Sequence, residues 1–128
     1  MTDAPKLRDS WYRLDARPGV DLDQPGIIEW RVEGHGIEIG KATRISDRID
    51  DAAGNLRDMV AGNDYHIEGS DFRAVHYALL AAYQQQTPTT LAVLETCARD
   101  VLTTRRRYWL ERRRAEERAG GPKVLNTR

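Results

Sequence analysis

Glu38 stands between two isoleucines in a stretch that alternates apolar and polar residues, GIEIGKA at residues 36 to 42. Successive side chains of a strand point to opposite faces, so Ile37 and Ile39 share one face and Glu38 projects from the other. A carboxylate placed there can bind a metal ion or pair with a guanidinium. Which of the two it does depends on the elements that surround it.

Three cations, Lys41, Arg44 and Arg48, follow Glu38 where a helix is predicted to begin. Positive charge opposes the helix dipole at an N-terminus, whereas the backbone N–H groups there can bind phosphate. The cluster therefore indicates a phosphate site. The alternative is an ordinary exposed basic patch, balanced by the acids of the same helix, which are Asp47, Asp50 and Asp51.

The histidines give little support to a metal site. His66 and His76 flank the start of a predicted second helix, but they do not form an HxH or HExxH pattern. The single cysteine, Cys97, has no partner for an internal disulfide, which is typical of a reducing cytoplasm. We therefore predict a cytoplasmic protein with no metal at these residues.

Bulk composition bounds the remaining possibilities. The 128 residues fit one domain, and a content of 40% hydrophobic and 31% charged residues is ordinary for a soluble protein. No apolar run is long enough to span a bilayer, and no secretory h-region is visible, so no membrane partner is expected. The net charge is zero, yet from Arg99 onward ten Lys or Arg stand against four acids. This asymmetry indicates either an anionic partner or contact between the two parts of the chain.

The predicted elements make a small α+β domain. Residues 1 to 25 contain prolines, glycine and scattered acids, and are expected to form an arm with little regular structure, tethered by Trp11, Tyr12 and Leu14. The domain, residues 26 to 128, is predicted to have strands at 26–32, 37–42 and 89–95, and helices at about 43–61, 70–85 and 100–119. Val101, Leu102, Tyr108, Trp109 and Ala115 are expected on the inward face of the third helix. The closing PKVLNTR is expected to add a short strand.

The order and spacing of several short motifs resemble the GIY-YIG nuclease superfamily. The two signatures stand here as GII at residues 26–28 and EIG at residues 38–40, and Arg48 lies eight residues after the second glycine, at the position of the family's arginine. The stretch LTTRRRYWLERR at 102–113 is similar to the family's last helix, and Asn126 is similar to its late asparagine. The similarity spans residues 26 to 126.

This resemblance implies a three-stranded antiparallel sheet flanked by about three helices, and hydrolysis of a DNA phosphodiester. In the family a tyrosine helps to activate water, a glutamate holds one divalent metal ion, and the arginine stabilises charge on the phosphate. Here Ile28 and Glu38 occupy the two tyrosine positions, and Arg106 occupies the position of the metal-binding glutamate. The ordinary one-metal site cannot assemble around a cation, so no cofactor is expected. We expect Glu38 and Arg106 to pair, with the guanidinium standing where the metal's charge would be.

With this resemblance, the sequence predicts a nucleic-acid-binding domain, with DNA as the expected partner, in which phosphodiester hydrolysis is lost or impaired. The occurrence of the family suggests a phage or bacterial source. The catalytic positions are those of Arg48, Glu38, Arg106 and Ile28, and the expected nucleic-acid contacts are Lys41, Arg44, Arg48, Arg106 and Asn126. One alternative is an active endonuclease whose Mg²⁺ or Mn²⁺ is held by Glu38 with Glu95 or Glu111. The other is a protein-binding inhibitor or scaffold that uses the acidic face of the first helix and the arm.

Overall fold

A computed structural model describes residues 6–67 and 69–127, so residues 1–5 of the predicted arm lie outside the described residues. The regular elements are, in chain order, β1 (Arg13–Asp15), β2 (Gly26–Val32), β3 (Gly36–Ala42), α1 (Ile45–Val60), α2 (Ala74–Gln85), β4 (Thr89–Thr96) and α3 (Leu102–Arg118). Single 3₁₀ turns lie at Asp9–Trp11 and Arg99–Val101. The α+β class predicted from the sequence is confirmed.

The sheet has four strands in the order β1-β4-β2-β3. β2 is antiparallel to both β3 and β4, as expected for the three predicted strands. The fourth strand corrects the prediction, because Arg13–Asp15 of the arm pairs parallel with β4. The arm therefore contributes regular structure to the domain instead of only tethering to it.

Gly26 explains how β2 begins where three elements crowd together. A Cβ atom added at this residue would lie 2.5 Å from the carbonyl oxygen of Glu95 and 2.9 Å from Cδ1 of Ile45. Real Cβ atoms do not approach backbone that closely, so only glycine allows β2, β4 and the first turn of α1 to meet here. This glycine opens the GII signature of the sequence.

Helices α1 and α2 cover one face of the sheet over the larger core. Its buried residues include Ile28, Trp30, Ile45, Val75, Leu79 and Leu91. The arm closes this core at one side, where the rings of Trp11 and Trp30 lie 5.8 Å apart and those of Tyr12 and Trp30 lie 6.2 Å apart. Two of the predicted tethers therefore pack as expected, whereas Leu14 is 41% exposed.

Helix α3 covers the opposite face and differs from its predicted orientation. Leu102 and Leu110 are buried with Ile27 and Ile39, and Trp109 packs against them. The predicted inward residues Val101, Tyr108 and Ala115 are instead exposed. The helix is so rich in arginine that few apolar residues mark its inward face, and a shift of one residue on a helix turns a side chain by about 100°.

Arginines of α3 reach acids on the strands. Arg113 donates through Nε to Oε2 of Glu29 at 2.5 Å, and Arg31 donates to Oε1 of the same carboxylate at 2.7 Å. Glu95 accepts from Nε of Arg105 at 2.5 Å and from Nε1 of Trp109 at 3.0 Å. The basic C-terminal quarter of the chain is thus used, at least in part, for contact between the two parts of the chain, one of the two expectations drawn from charge.

The free edge of β3 is covered by residues near the end of the sequence. Val124 forms an isolated bridge with Ile37, a reduced version of the predicted last strand. Asn126 then continues this cover with its side chain: Oδ1 accepts the N–H of Ile39 at 2.9 Å, and Nδ2 donates to the carbonyl of Ile39 at 2.8 Å. In the residues that are described, no helix is long and apolar enough to cross a membrane.

Candidate functional site

A cavity of about 270 Å³ lies between the sheet and helices α1 and α2. Trp30 of β2 and Glu38 of β3 line it from the sheet, Arg48 lines it from α1, and Arg73 and His76 line it from the start of α2. Glu38 therefore points away from the α3 face on which Ile39 is buried, as the alternation of the strand predicted. The cavity brings together the two predicted site residues Glu38 and Arg48.

The Glu38 carboxylate is buried and pairs with Arg73. Its side chain is only 4% exposed, and its Oε2 accepts from Nη1 of Arg73 at 2.9 Å. Burial raises the pKa of this carboxyl, and the charges of Arg73, Arg48 and Arg106 oppose that rise in this order of strength. Glu38 is therefore a buried carboxylate with three arginines near it.

Arg73, which forms the ion pair seen with Glu38, was not identified from the sequence. It precedes α2 as its N-cap residue, 35 residues after Glu38, and no local pattern links the two. The predicted partner, Arg106, acts on the same carboxyl as one of the positive charges that lower its pKa. The pairing expected between Glu38 and Arg106 is therefore not observed: the residue that donates to Oε2 is Arg73, and Arg106 lies on α3.

The guanidinium of Arg48 lies close to Gly40 of β3. A Cβ atom at Gly40 would lie 3.4 Å from Nη2 of Arg48 and 3.5 Å from Cγ1 of Ile28. The Arg48 side chain is half-buried and lines the cavity, and no residue within 6–67 and 69–127 accepts a hydrogen bond from its guanidinium. With respect to the described residues, its N–H donors can therefore bind an anion in the cavity.

His76 is a neutral part of the cavity wall. It is 6% exposed, and its Nδ1 accepts the backbone N–H of Arg73 at 2.9 Å. This bond places the ring proton on Nε2, which lies 3.4 Å from Nδ2 of Asn55. Two donors cannot bond to each other, so the Asn55 amide must turn its Oδ1 toward the ring to accept this proton. Burial and the nearby charges of Arg73 and Arg48 lower the pKa of His76 to about 4. Its role is to fix the start of α2, and with it Arg73.

The other sequence-predicted residues lie elsewhere. Ile28 is fully buried in the core and presents no chemistry. The cations Lys41, Arg44 and Arg48 do not form one cluster: Lys41 lies on the α3 side, where its Nζ donates to Thr103 Oγ1 at 2.9 Å. Arg44 pairs with Asp23 at 3.0 Å.

Those cavity residues that the structure describes do not fit a divalent metal ion. Mg²⁺ and Mn²⁺ need several oxygen ligands, but the one buried carboxylate here is already bound to Arg73 and faces further guanidinium charge. Glu95, proposed as a second ligand, is bound to Arg105 and Trp109 on the α3 side of the sheet, and Glu111 is exposed on α3. Among the described residues, no group of three or more His, Cys, Asp or Glu is placed to hold a metal.

Comparison with known proteins finds no match to a family model, to a curated protein or to a solved structure.

Proposed function

We propose that this protein is a nucleic-acid-binding domain, a degenerate relative of the GIY-YIG nucleases, that holds a backbone phosphate in the cavity around Arg48 and Arg73, with hydrolysis lost or impaired. DNA is the proposed ligand. The proposal rests on the geometry of the cavity, which Glu38 of the EIG motif lines, together with the resemblance of the GII and EIG motifs.

The availability of the Arg48 guanidinium is the observation that carries this proposal. Two of the described carboxylates line the cavity. Glu38 is engaged by Arg73 and Asp51 is exposed, and among the described residues neither accepts a hydrogen bond from Arg48. A guanidinium matches the geometry of phosphate oxygens and remains charged at any physiological pH. In a half-closed cavity the field of this charge is screened less than at an open surface.

Each residue then has a distinct part. Arg48 contacts the phosphate directly, Arg73 adds a second guanidinium, and Glu38 orients Arg73 through the ion pair of 2.9 Å. Arg106 adds positive charge to the same setting, as its effect on the Glu38 carboxyl indicates. Hydrolysis is proposed to be lost because neither Ile28 nor Glu38 supplies a phenol and because the described residues of the cavity include no group of metal ligands.

The binding test compares two arginines of the same helix. Arg48 and Arg57 are nine residues apart on α1, which places them on opposite sides of the helix. We expect Arg48→Ala to weaken binding of a fluorescent DNA by about 10- to 100-fold, as loss of a charge-assisted contact does, and to lower the slope of log K against log salt by about one. Arg57→Ala should leave both nearly unchanged.

Fluorescence anisotropy at several salt concentrations measures both quantities. Equal affinity of the two variants would refute the assignment of Arg48. If the wild-type protein bound no nucleic acid at physiological salt, the protein-binding interpretation would replace ours.

A plasmid-nicking assay separates binding from cleavage. With Mg²⁺ or Mn²⁺ present, we expect no cutting at protein concentrations at which a gel shift shows bound DNA. Cutting that EDTA and Glu38→Ala both abolish would show that the protein is an active nuclease with a rearranged site.

A further inference from the structure

A cluster of rings lies in the connection between α1 and α2, next to the arginine cavity. The ring centroid of Tyr65 is 5.2 Å from that of Phe72 and 5.8 Å from that of His76, and Phe72 is 6.2 Å from Tyr77. These contacts run continuously from the buried His76 outward to Tyr77, which is 56% exposed. Ile67, beside them, is 49% exposed. The connection and the first turn of α2 thus present aromatic rings to solvent, set among polar residues that include Asp64, Ser70 and Asp71.

This surface is concave and continuous with the proposed phosphate site. A cavity of about 650 Å³ is lined by Tyr65, Phe72 and Tyr77 together with Asp64 and Asp71. It shares part of its wall with the arginine cavity, since Tyr65, His66 and Ile67 line both. Neighbouring exposed apolar side chains rimmed by polar residues, as Ile67 and Tyr77 are here, mark a binding surface more often than an isolated exposed side chain does.

We infer that the Tyr65–Phe72–Tyr77 cluster receives an unpaired nucleobase of the same nucleic acid whose phosphate Arg48 and Arg73 hold. This inference rests on the proposed function and specifies its ligand. Aromatic side chains bind bases by stacking, and a base in a paired duplex is already stacked on both faces, so only an unpaired or extruded base offers a face to the protein. The substrate class is therefore a nucleic acid with a bulge, gap, loop or single strand.

The acids of the second cavity restrict which base fits. Both cavities contain two carboxylates among their described lining, but only the first also contains arginines, Arg48 and Arg73. Asp64 and Asp71 therefore repel phosphate without compensation, which places the backbone on the arginine side and the base on the aromatic side. A carboxylate accepts a hydrogen bond from an exocyclic amino group, such as N4 of cytosine. A base that carries such a group is consequently preferred over thymine.

The test uses two DNA probes of the same length, one fully paired and one with a single unpaired cytosine. Anisotropy should show the wild-type protein binding the bulged probe about tenfold more tightly, within the range that stacking of one base supplies. Tyr77→Ala should remove this preference, and because Tyr77 is exposed on α2 the variant should fold normally. Tyr108→Ala, which removes an exposed tyrosine from α3 on the other side of the sheet, is the matched control and should keep the preference.

A second readout detects stacking itself. The fluorescent base 2-aminopurine, placed at the unpaired position, should be quenched on binding to the wild-type protein and to Tyr108→Ala, but not to Tyr77→Ala. Equal affinity for both probes, with binding still lost in Arg48→Ala, would overturn the base pocket and leave the phosphate site standing. Absence of binding to either probe would overturn both proposals.

Discussion

The side chain of Asn126 gives a direct test of the way in which the β3 edge is held. Replacing it by alanine removes two hydrogen bonds, of 2.9 and 2.8 Å, to the N–H and the carbonyl of Ile39. Each such bond contributes about 1 kcal/mol net, so we expect Asn126→Ala to lower the free energy of unfolding by about 2 kcal/mol. For a chain of 128 residues this corresponds to a fall in melting temperature of about 6–10 °C.

Urea unfolding, followed by circular dichroism, is the assay. The midpoint should fall while the slope m stays the same, because the variant exposes the same surface when it unfolds. Thr127→Ala is the matched control: Thr127 is the exposed neighbour, and its loss should change the free energy of unfolding by less than about 0.5 kcal/mol. If Asn126→Ala unfolded at the wild-type midpoint, the amide would not bind the strand edge in solution.

The same variant tests a prediction made from the sequence. Asn126 was expected to contact nucleic acid, but both ends of its amide are used by Ile39. At a temperature well below the melting point, Asn126→Ala should therefore bind DNA as the wild type does. A loss of affinity without a loss of stability would assign the amide to the ligand after all.

Two further predictions concern titration in the cavity. His76 has a pKa of about 4 in the folded protein against an ordinary value of 6.5, so its contribution to stability is present above pH 6.5 and is lost as the pH falls through 4. Urea unfolding over this range should show that the wild type loses about 3 kcal/mol of its free energy of unfolding, whereas His76→Gln does not. Parallel pH profiles of the two proteins would contradict this. Glu38 has the opposite sign: burial raises its pKa above 4.5, so the stability linked to its protonated form is present below pH 4.5 and is lost as the pH rises through the raised value. Glu38→Gln should therefore melt at a higher temperature than the wild type at pH 7 to 8 and at a similar temperature below pH 4. If the variant melted at a lower temperature than the wild type at pH 8, the ion pair with Arg73 would outweigh the cost of burying the carboxylate.

Local patterns predicted the hairpin and the core of the fold, because each element there has a strong signal of its own. Residues 26–32 and 36–42 alternate or run apolar around a glycine turn, and both form strands within a residue of the predicted bounds. The side of the sheet that Glu38 faces was also predictable, since it depends only on the period of a strand.

The missed features depend on contacts between distant residues. Strand β1 has three exposed residues, and only its pairing with residues about 77 positions later makes it a strand. Helix α2 begins at Ala74 and not near Ser70, because the ring of His76 accepts the N–H of Arg73 and fixes the start of the helix there. The same contact places Arg73 beside Glu38. No spacing in the sequence predicts that these two residues meet.

Short segments from opposite parts of the sequence cover part of two strands: residues 13–15 form a three-residue edge strand along β4, and residues 124–126 contact the outer edge of β3. An open strand edge is a template on which another chain can add a strand, so these two short segments reduce the risk of aggregation. During synthesis the β2–β3 hairpin and β4 are made before residues 124–126. The outer edge of β3 therefore stays open until those residues have also left the ribosome. The domain is therefore expected to be most prone to association with other chains while it is being synthesised. Removal of either segment should leave the folded protein prone to the same association.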